Sequence, residues 1–191
     1  MNYSIDLDID LNVKPLQDQY QDLYGHCIEN SIPNNEITSV GTAYLISAKQ
    51  HDWQQEYFED LLRLKIETVR IFVTNPRSIL PVHKDCIANT NQLRPWAINV
   101  PLLNCDKGVN QWFEEPDAST ETFTPDGSAI VPNNNNLILS EECLLNCTKI
   151  IRTDVYHNVN NNDNDKSRVI VSYRADPNIT WNEIKKRIKY E

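Results

Sequence analysis

Glycine is scarce in this sequence. Among its 191 residues there are four glycines, Gly25, Gly41, Gly108 and Gly127. They are too widely spaced to form G-x-G-x-x-G or G-x-x-x-x-G-K-[ST], the glycine-rich loops that cradle phosphate groups. The spacing therefore excludes the usual dinucleotide-binding and P-loop classes of protein.

Long apolar runs are also missing. No stretch of about 18 apolar residues is present, so we predict no membrane-spanning helix. The first 13 residues alternate acidic and apolar side chains, unlike the basic and apolar regions of a signal peptide. Five cysteines are an odd number without disulfide-rich density, which fits a reducing compartment. We therefore expect a cytoplasmic protein.

Positive charge is low relative to negative charge. The formal net charge is -9, which argues against broad binding to the phosphates of nucleic acids. A basic cluster at residues 185–189 falls on a predicted terminal helix, where it is interpreted as a solvated helix face. We do not expect nucleic acid to be a partner.

The sequence pattern predicts a mainly β fold with flanking helices. Short β-branched and aromatic segments alternate with Pro, Asn, Asp and Gly turns, which favours an antiparallel sandwich or barrel. We expect one domain over residues 1–191, with strand and helix elements in 1–65, the β core in 66–175 and a closing helix in 176–191. Predicted helices are residues 15–24, 52–65 and 181–190. Predicted strands are residues 5–11, 40–47, 68–74, 79–83, 96–103, 111–114, 149–157 and 168–174.

The strongest candidate for chemistry is an H-x-D motif at His83 and Asp85. On a strand, residues two apart face the same side, so an imidazole and a carboxylate would lie together. A second histidine, His157, ends a strand-like run about 70 residues later. Two histidines and one carboxylate on one face of a metal form the facial triad of non-haem Fe(II) oxygenases, which leaves coordination positions open.

An arginine follows His157 across a polar loop. The loop lets the chain reverse into an antiparallel neighbour that starts at Arg168. A guanidinium near the same barrel mouth can bind a distal carboxylate with two hydrogen bonds, which lysine does less well. Arg174 lies on the same strand face as Arg168 and is a competing candidate, but we expect it farther from the mouth.

The order of these segments resembles the 2-oxoglutarate/Fe(II)-dependent oxygenase superfamily. Three segments carry the likeness to its aspartyl/asparaginyl β-hydroxylase-like members and their phage and bacterial relatives: LRPWAINVPL at 93–102, CDKGVNQWF at 105–113 and RTDVYH at 152–157. The resemblance covers roughly residues 68–175 and implies a double-stranded β-helix core of the jelly-roll or cupin type. Animal aspartyl/asparaginyl β-hydroxylases have Gly where this chain has Asp85, so their substrate is not assumed here.

The resemblance implies particular roles for site residues. His83, Asp85 and His157 would bind Fe(II), and Arg168 would pair with the far carboxylate of the co-substrate 2-oxoglutarate. Arg94 and Asn99 would lie in the co-substrate pocket. With O₂, such an enzyme would hydroxylate an unactivated C–H bond of a peptide, a protein side chain or a small molecule, and would release succinate and CO₂.

Two other functions stay open at this stage. One is a cupin-type metal-binding protein that does not use 2-oxoglutarate, for which a distal-carboxylate arginine has no purpose. The other is a non-catalytic interaction protein. A zinc site at Cys143 and Cys147 lacks a matching second pair of ligands, so these cysteines are interpreted as ordinary thiols.

Overall fold

The computed structural model describes residues 2–7, 13–14, 17–18, 41–46, 53–87, 90–114, 121–124, 129–132 and 137–188. The helices with defined bounds are α1 (Trp53–Leu62) and α2 (Trp181–Ile188). The strands are β1 (Ser4–Asp6), β2 (Gly41–Ile46), β3 (Ile66–Thr74), β4 (Lys84–Asp85), β5 (Trp96–Leu103), β6 (Val109–Phe113), β7 (Glu121–Phe123), β8 (Ala129–Pro132), β9 (Leu139–Leu144), β10 (Lys149–Arg152), β11 (His157–Asn160) and β12 (Arg168–Ala175).

The described strands form three antiparallel sheets. The large sheet has the order β1-β10-β5-β12-β3-β2, and the two small sheets have the orders β11-β6-β9 and β4-β8-β7. A single bridge between His83 and His157 joins the segment before β4 to β11, and so connects the two small sheets. This arrangement is the expected jelly-roll core, mainly β with flanking helices.

One face of the large sheet packs against the helices. Strand residues alternate between two faces, and on β12 the apolar residues Val169, Val171 and Tyr173 point to this side. They join Phe58 of α1 in the main hydrophobic cluster. Further members from the helices are Leu62, Trp181 and Ile184. Burial of this apolar area is the main stabilising contribution to the fold.

The other face of β12 is largely polar and points toward the small sheets. It presents Arg168, Ser172 and Arg174, all of which are buried. Arg168 reaches Asn110 on β6, and Arg174 reaches Asp85 on β4. The interior between the sheets therefore contains charged side chains, which a simple core would avoid.

Hydrogen bonds stabilise the start of α2 and join α2 to the end of α1. The first turn of α2 is a capping box: the Glu183 backbone N–H donates to Thr180 Oγ1 at 3.3 Å, and the Thr180 N–H donates to the Glu183 carboxylate at 2.7 Å. Arg187 donates to the carbonyl oxygens of Leu62 and Arg63 at the end of α1. This member of the predicted basic cluster therefore stabilises a helix terminus.

No helix among the described residues is long and apolar enough to cross a membrane.

Most predicted elements are present with small shifts in their ends. The strands at 40–47, 96–103 and 168–174 and the helices at 52–65 and 181–190 correspond to β2, β5, β12, α1 and α2. β3 starts two residues earlier than predicted, and β6 spans 109–113 instead of 111–114. The strand predicted at 5–11 is β1 at 4–6, and its residues 8–11 lie outside the described residues. Of the helix predicted at 15–24, residues 17 and 18 are helical and the rest lies outside them. β7, β8 and β9 were not predicted.

Two strand predictions near the site are wrong. The segment 149–157 is not one strand: β10 ends at Arg152, a turn follows, and His157 begins β11 in a different sheet. The segment 79–83 is not a regular strand either, because only Ile79 and His83 make isolated bridges and β4 starts at Lys84. Since all of these residues have β-forming patterns, the alternation alone gave no signal for the change of sheet.

Candidate metal centre

Three predicted side chains converge in the interior. His83 and His157 are bridge partners, and each backbone N–H donates to the other's carbonyl oxygen at 2.9 Å. Asp85 lies two residues from His83, and its backbone N–H donates to the carbonyl oxygen of Thr153. One ligand atom from each of His83, Asp85 and His157 lies within 4.8 Å of the others. Among the described residues this is the one cluster of three such groups, and Cys143 and Cys147 do not belong to it.

Both imidazole rings are oriented by backbone carbonyl groups. His83 Nδ1 lies 2.8 Å from the oxygen of Pro81, and His157 Nδ1 lies 2.9 Å from the oxygen of Val155. A carbonyl oxygen accepts only, so Nδ1 of each ring carries a proton. Nε2 of His157 keeps its lone pair, whereas Nε2 of His83 faces the Asp85 carboxylate. This is the arrangement that protein metal sites use to fix the tautomer of a ligating histidine.

The Asp85 carboxylate is held by two partners. Its Oδ1 lies 3.3 Å from His83 Nε2, and its Oδ2 lies 2.8 Å from Arg174 Nη2. Burial alone would raise the pKa of Asp85, but the charge of Arg174 and then the hydrogen bond from His83 hold it well below its usual range. The carboxylate is therefore ionised and ready to act as an anionic ligand.

The two histidines differ in basicity. Burial disfavours the charged form of His83, but the hydrogen bond to Asp85 and the charge of Asp85 outweigh it, and the pKa of His83 is raised. Burial, followed by the charge of His83, lowers the pKa of His157 to about 4. His157 is therefore neutral at physiological pH, which is the form that binds a metal.

Arg168 lies at the other end of β12 from the cluster. It is 1% exposed, and its Nη2 donates to Asn110 Oδ1 at 3.2 Å. Its Nε is buried without a hydrogen-bond partner among the described residues, and no carboxylate pairs with it there. Burial lowers the pKa of Arg168, with weak opposition from nearby thiols such as Cys105. A guanidinium remains charged even so, and Arg168 thus carries a buried positive charge that no carboxylate balances within the described part of the chain.

The distance between the cluster and Arg168 follows from β6. Trp112 on β6 is the strand partner of His157, and Asn110, which binds Arg168, lies two residues back on the same strand face. Two residues of strand correspond to about 7 Å. Measured along β6, the guanidinium of Arg168 is therefore offset by about 7 Å from the cluster, on the same interior face.

Gly108 makes room for the Arg168 side chain. A Cβ atom at position 108 would lie 2.7 Å from Arg168 Cδ and 2.9 Å from Asn161 Oδ1. Asn161 is held in turn by hydrogen bonds from its amide to the carbonyl oxygens of Asn75 and Lys166. Glycine is required here by close approach, which sequence analysis did not detect.

The other two predicted pocket residues occupy different places. Asn99 is 4% exposed, pairs with Ser172 across β5 and β12, and has a side-chain oxygen without a hydrogen-bond partner in the described structure. It faces the interior between the cluster and Arg168. Arg94 lies just before β5, and its backbone N–H donates to the Asp85 carbonyl oxygen at 2.9 Å. It is therefore next to the cluster and not next to Arg168.

The expected positions of the two β12 arginines were partly wrong. We expected Arg174 to be the more distant residue, yet it contacts Asp85 directly and Arg168 lies deeper. The strand that starts at Arg168 also does not pair with β11, because β12 lies between β3 and β5. The spacing of six residues placed both arginines on one face, and this is the signal from which the role of Arg174 could have been found.

The outer side of the cluster strands has its own contacts. Lys84 and Tyr156, the sequence neighbours of the cluster residues, both bind Glu121 Oε1, at 2.9 and 2.6 Å. They border a cavity of about 530 Å³ that Phe113 also lines. Tyr156, Trp96 and Trp112 are buried, as expected for packing residues.

Three solved structures have a similar fold over most of the chain. The chain aligns over 93% of its length with 91% of AviO1 from Streptomyces viridochromogenes Tue57 (TM-score 0.53, 10% identity). It aligns over 90% with 79% of SnoK, a non-heme alpha-ketoglutarate-dependent carbocyclase from nogalamycin biosynthesis (TM-score 0.52, 12% identity). A Pseudomonas putida prolyl-4-hydroxylase aligns over 92% of this chain and 94% of its own (TM-score 0.51, 12% identity). No family model and no curated protein matches the chain. At these identities the comparisons establish the shared jelly-roll fold.

Proposed function

We propose that the protein is an Fe(II)- and 2-oxoglutarate-dependent dioxygenase that hydroxylates an unactivated C–H bond. The observation that carries the proposal is the relation between Arg168 and the cluster of His83, Asp85 and His157. A buried guanidinium with no carboxylate partner among the described residues and a three-ligand group share one interior face. Their strand positions are offset by two residues, about 7 Å, along β6. A dicarboxylate that binds metal at one end would place its other carboxylate at Arg168. The likeness in fold to SnoK supports the same assignment.

The donor atoms fit a non-haem iron. His83 and His157 would each supply an imidazole nitrogen and Asp85 a carboxylate oxygen, the donor set of the two-histidine, one-carboxylate iron sites that leave positions for other ligands. When bound there, Fe(II) would supply the activation of O₂ and of the C–H bond, with 2-oxoglutarate as the co-substrate that is converted to succinate and CO₂.

The protein side chains would orient and separate the reactants. Arg168 would bind the distal carboxylate of 2-oxoglutarate through its guanidinium fork. Asn99, whose side-chain oxygen is unpartnered, would contribute a polar contact along the same interior face. The buried surroundings would exclude bulk water from the reacting groups. Arg174 would keep Asp85 ionised and directed toward the metal.

The test is a turnover assay on anaerobically purified protein. Fe(II), 2-oxoglutarate and O₂ are added, and succinate is followed. We expect slow succinate formation even without the prime substrate, and loss of this activity in Arg168→Met. A matched control is Arg152→Gln, because Arg152 pairs with Asp154 and takes no part in the cluster.

The alternative functions give different results in the same experiment. A cupin-type metal protein would bind the metal but show neither succinate formation nor binding of 2-oxoglutarate to the metal-loaded form. A non-catalytic interaction protein would show no binding of the metal at this cluster. Either result would overturn the proposal.

A further inference from the structure

A second arginine at the cluster end of the interior is held in a defined position. The backbone N–H of Arg94 donates to Asp85 O at 2.9 Å, and the Arg94 carbonyl oxygen accepts from Thr153 Oγ1 at 2.7 Å. Its side chain is 13% exposed. The position of Arg94 is therefore tied to the two segments that carry the cluster residues.

The charge of Arg94 is poorly balanced by the protein. Its Nη1 lies 3.5 Å from Glu67 Oε2, at the long limit of a hydrogen bond, and it is buried without a hydrogen-bond partner in the described structure. The Glu67 side chain is 41% exposed, so water weakens this ion pair. Burial, followed by the charge of Arg174, lowers the pKa of Arg94. The guanidinium stays charged, and among the described residues its ion-pair partner is the partly exposed Glu67 at 3.5 Å.

Asp85 does not fill this role. Both of its oxygens are already used, one by His83 and one by Arg174. Under the proposed function it would also give part of its charge to the metal. Binding of a divalent cation would make this end of the interior still more positive, although the chain as a whole carries -9.

Glu67 is placed by an irregularity in β3. The pairing of β12 with β3 changes register here, since Arg174 pairs with Thr68 and Ala175 pairs with Ile66. Glu67 is the residue left between these pairs, as in a β-bulge, which redirects a side chain. This turns the carboxylate of Glu67 toward Arg94 instead of toward the helices.

We propose that the substrate of the enzyme carries an anionic group, a carboxylate or a phosphate, that binds the guanidinium of Arg94 beside the metal. The inference rests on the proposed function and assigns the substrate class of the same site. Arg94 then determines specificity, and Glu67 is the resting counter-ion that the substrate anion replaces. The co-substrate does not need Arg94, because its distal carboxylate has Arg168 and its other end has the metal. A guanidinium fork suits both carboxylate and phosphate.

The test uses simple anions and a paramagnetic metal. The protein is loaded with Mn(II) and 2-oxoglutarate, and acetate or inorganic phosphate is added. The relaxation of the acetate ¹H and phosphate ³¹P signals then reports anions that bind near the metal. A parallel sample with diamagnetic Mg(II) gives the background.

We expect enhanced relaxation in the wild type and a decrease of about tenfold in the anion's apparent affinity in Arg94→Gln, the loss of a charged hydrogen bond. Arg94→Lys should keep part of the effect, and Glu67→Gln should strengthen it by removing the competing carboxylate. Arg152→Gln is the matched control, since Arg152 is 26% exposed and paired with Asp154. A larger effect with acetate indicates a carboxylate substrate, and a larger effect with phosphate indicates a phosphorylated one.

Three outcomes would overturn the inference. These are no enhanced relaxation in the wild type, equal relaxation in wild type and Arg94→Gln, or a loss of 2-oxoglutarate affinity in Arg94→Gln that assigns Arg94 to the co-substrate. Failure of the proposed function is seen separately, as absence of 2-oxoglutarate binding to the wild type. The relaxation measurement on the Mn(II) form alone still reads the anion preference of Arg94 in that case.

Discussion

Arg168 and Arg174 are six residues apart on the same face of β12, and they have opposite electrostatic environments. Arg174 forms a 2.8 Å ion pair with Asp85, and both side chains are less than a tenth exposed. Arg168 is more deeply buried, yet it has a neutral amide, Asn110, as its hydrogen-bond acceptor. One arginine therefore stabilises the protein's own carboxylate, and the other has a charge left for a ligand.

The first prediction compares these two arginines. Arg174→Met should lower the free energy of unfolding of the metal-free protein by about 3 kcal/mol, because it leaves the buried Asp85 carboxylate without its cation. Arg168→Met breaks no ion pair and should cost only about 1 kcal/mol, the value of its hydrogen bond to Asn110. Denaturant unfolding measures both. Equal losses in the two variants would contradict the assigned environments.

The second prediction concerns Gly108. Gly108→Ala should displace the Arg168 side chain, because the added Cβ would lie 2.7 Å from Arg168 Cδ. We expect the affinity for 2-oxoglutarate to fall about tenfold through the weakened charged hydrogen bonds. Affinity for Mn(II), measured by calorimetry on the same sample, should not change and serves as the internal control. Unaltered binding of 2-oxoglutarate would show that Arg168 is not its partner.

The third prediction tests the metal ligands. His83→Ala and His157→Ala should each reduce Mn(II) affinity by more than about 100-fold, since loss of a direct ligand exceeds the effect of losing a partner of a ligand. Asp154→Asn is the control: it removes a nearby carboxylate that pairs with Arg152. Retained Mn(II) binding in either histidine variant would remove that residue from the site.

The fourth prediction is a pH dependence on the outer side of the cluster. The hydrogen bond from Tyr156, then that from Lys84, lowers the pKa of Glu121. A carboxyl whose pKa is lower in the folded state stabilises the fold above its ordinary pKa, and the contribution is lost as the pH falls through the folded value.

Tyr156→Phe removes the larger of these two causes. The pKa of Glu121, followed by NMR titration of its side-chain carboxyl, should move up toward the ordinary value. Lys84 remains as a partner, so the return should be incomplete. An unchanged pKa in this variant would mean that the Tyr156 hydrogen bond does not form in solution.

The sequence predicted those parts of the site that depend on residues close together in the chain. It gave less information on contacts between distant segments. The H-x-D motif predicted a shared face for His83 and Asp85, since period two is a local property of strands. His157 reaches the other two residues because the chain leaves β10, turns over residues 153–156 and enters β11 in another sheet. No local sequence pattern marks this change of sheet. His157 was identified through the order of segments and not through its local structure.

Other features were beyond local reasoning. The contacts of Arg94 and Arg168 could not be read from nearby sequence, because their partners, Glu67 and Asn110, come from distant strands. Glycine is needed at position 108 only because the Arg168 side chain, which comes from a distant strand, approaches the backbone there. The strands β7, β8 and β9 were missed because their residues do not show the polar–apolar alternation of a half-buried strand.

The two nitrogen atoms of each cluster histidine have separable tasks. Nδ1 of His83 is hydrogen-bonded to the carbonyl oxygen of Pro81, and Nδ1 of His157 to that of Val155. These hydrogen bonds hold the rings in place in the folded protein. An asparagine amide has its nitrogen close to the Nδ1 position, whereas the amide of glutamine extends to the Nε2 position. Replacing His157 by asparagine can therefore keep the internal bond while deleting the donor atom, and a glutamine there would substitute a weak oxygen or nitrogen donor for it. Because the hydrogen bonds to the backbone carbonyl groups do not involve Nε2, the metal-binding donor atom can be removed while the fold around the ring is kept.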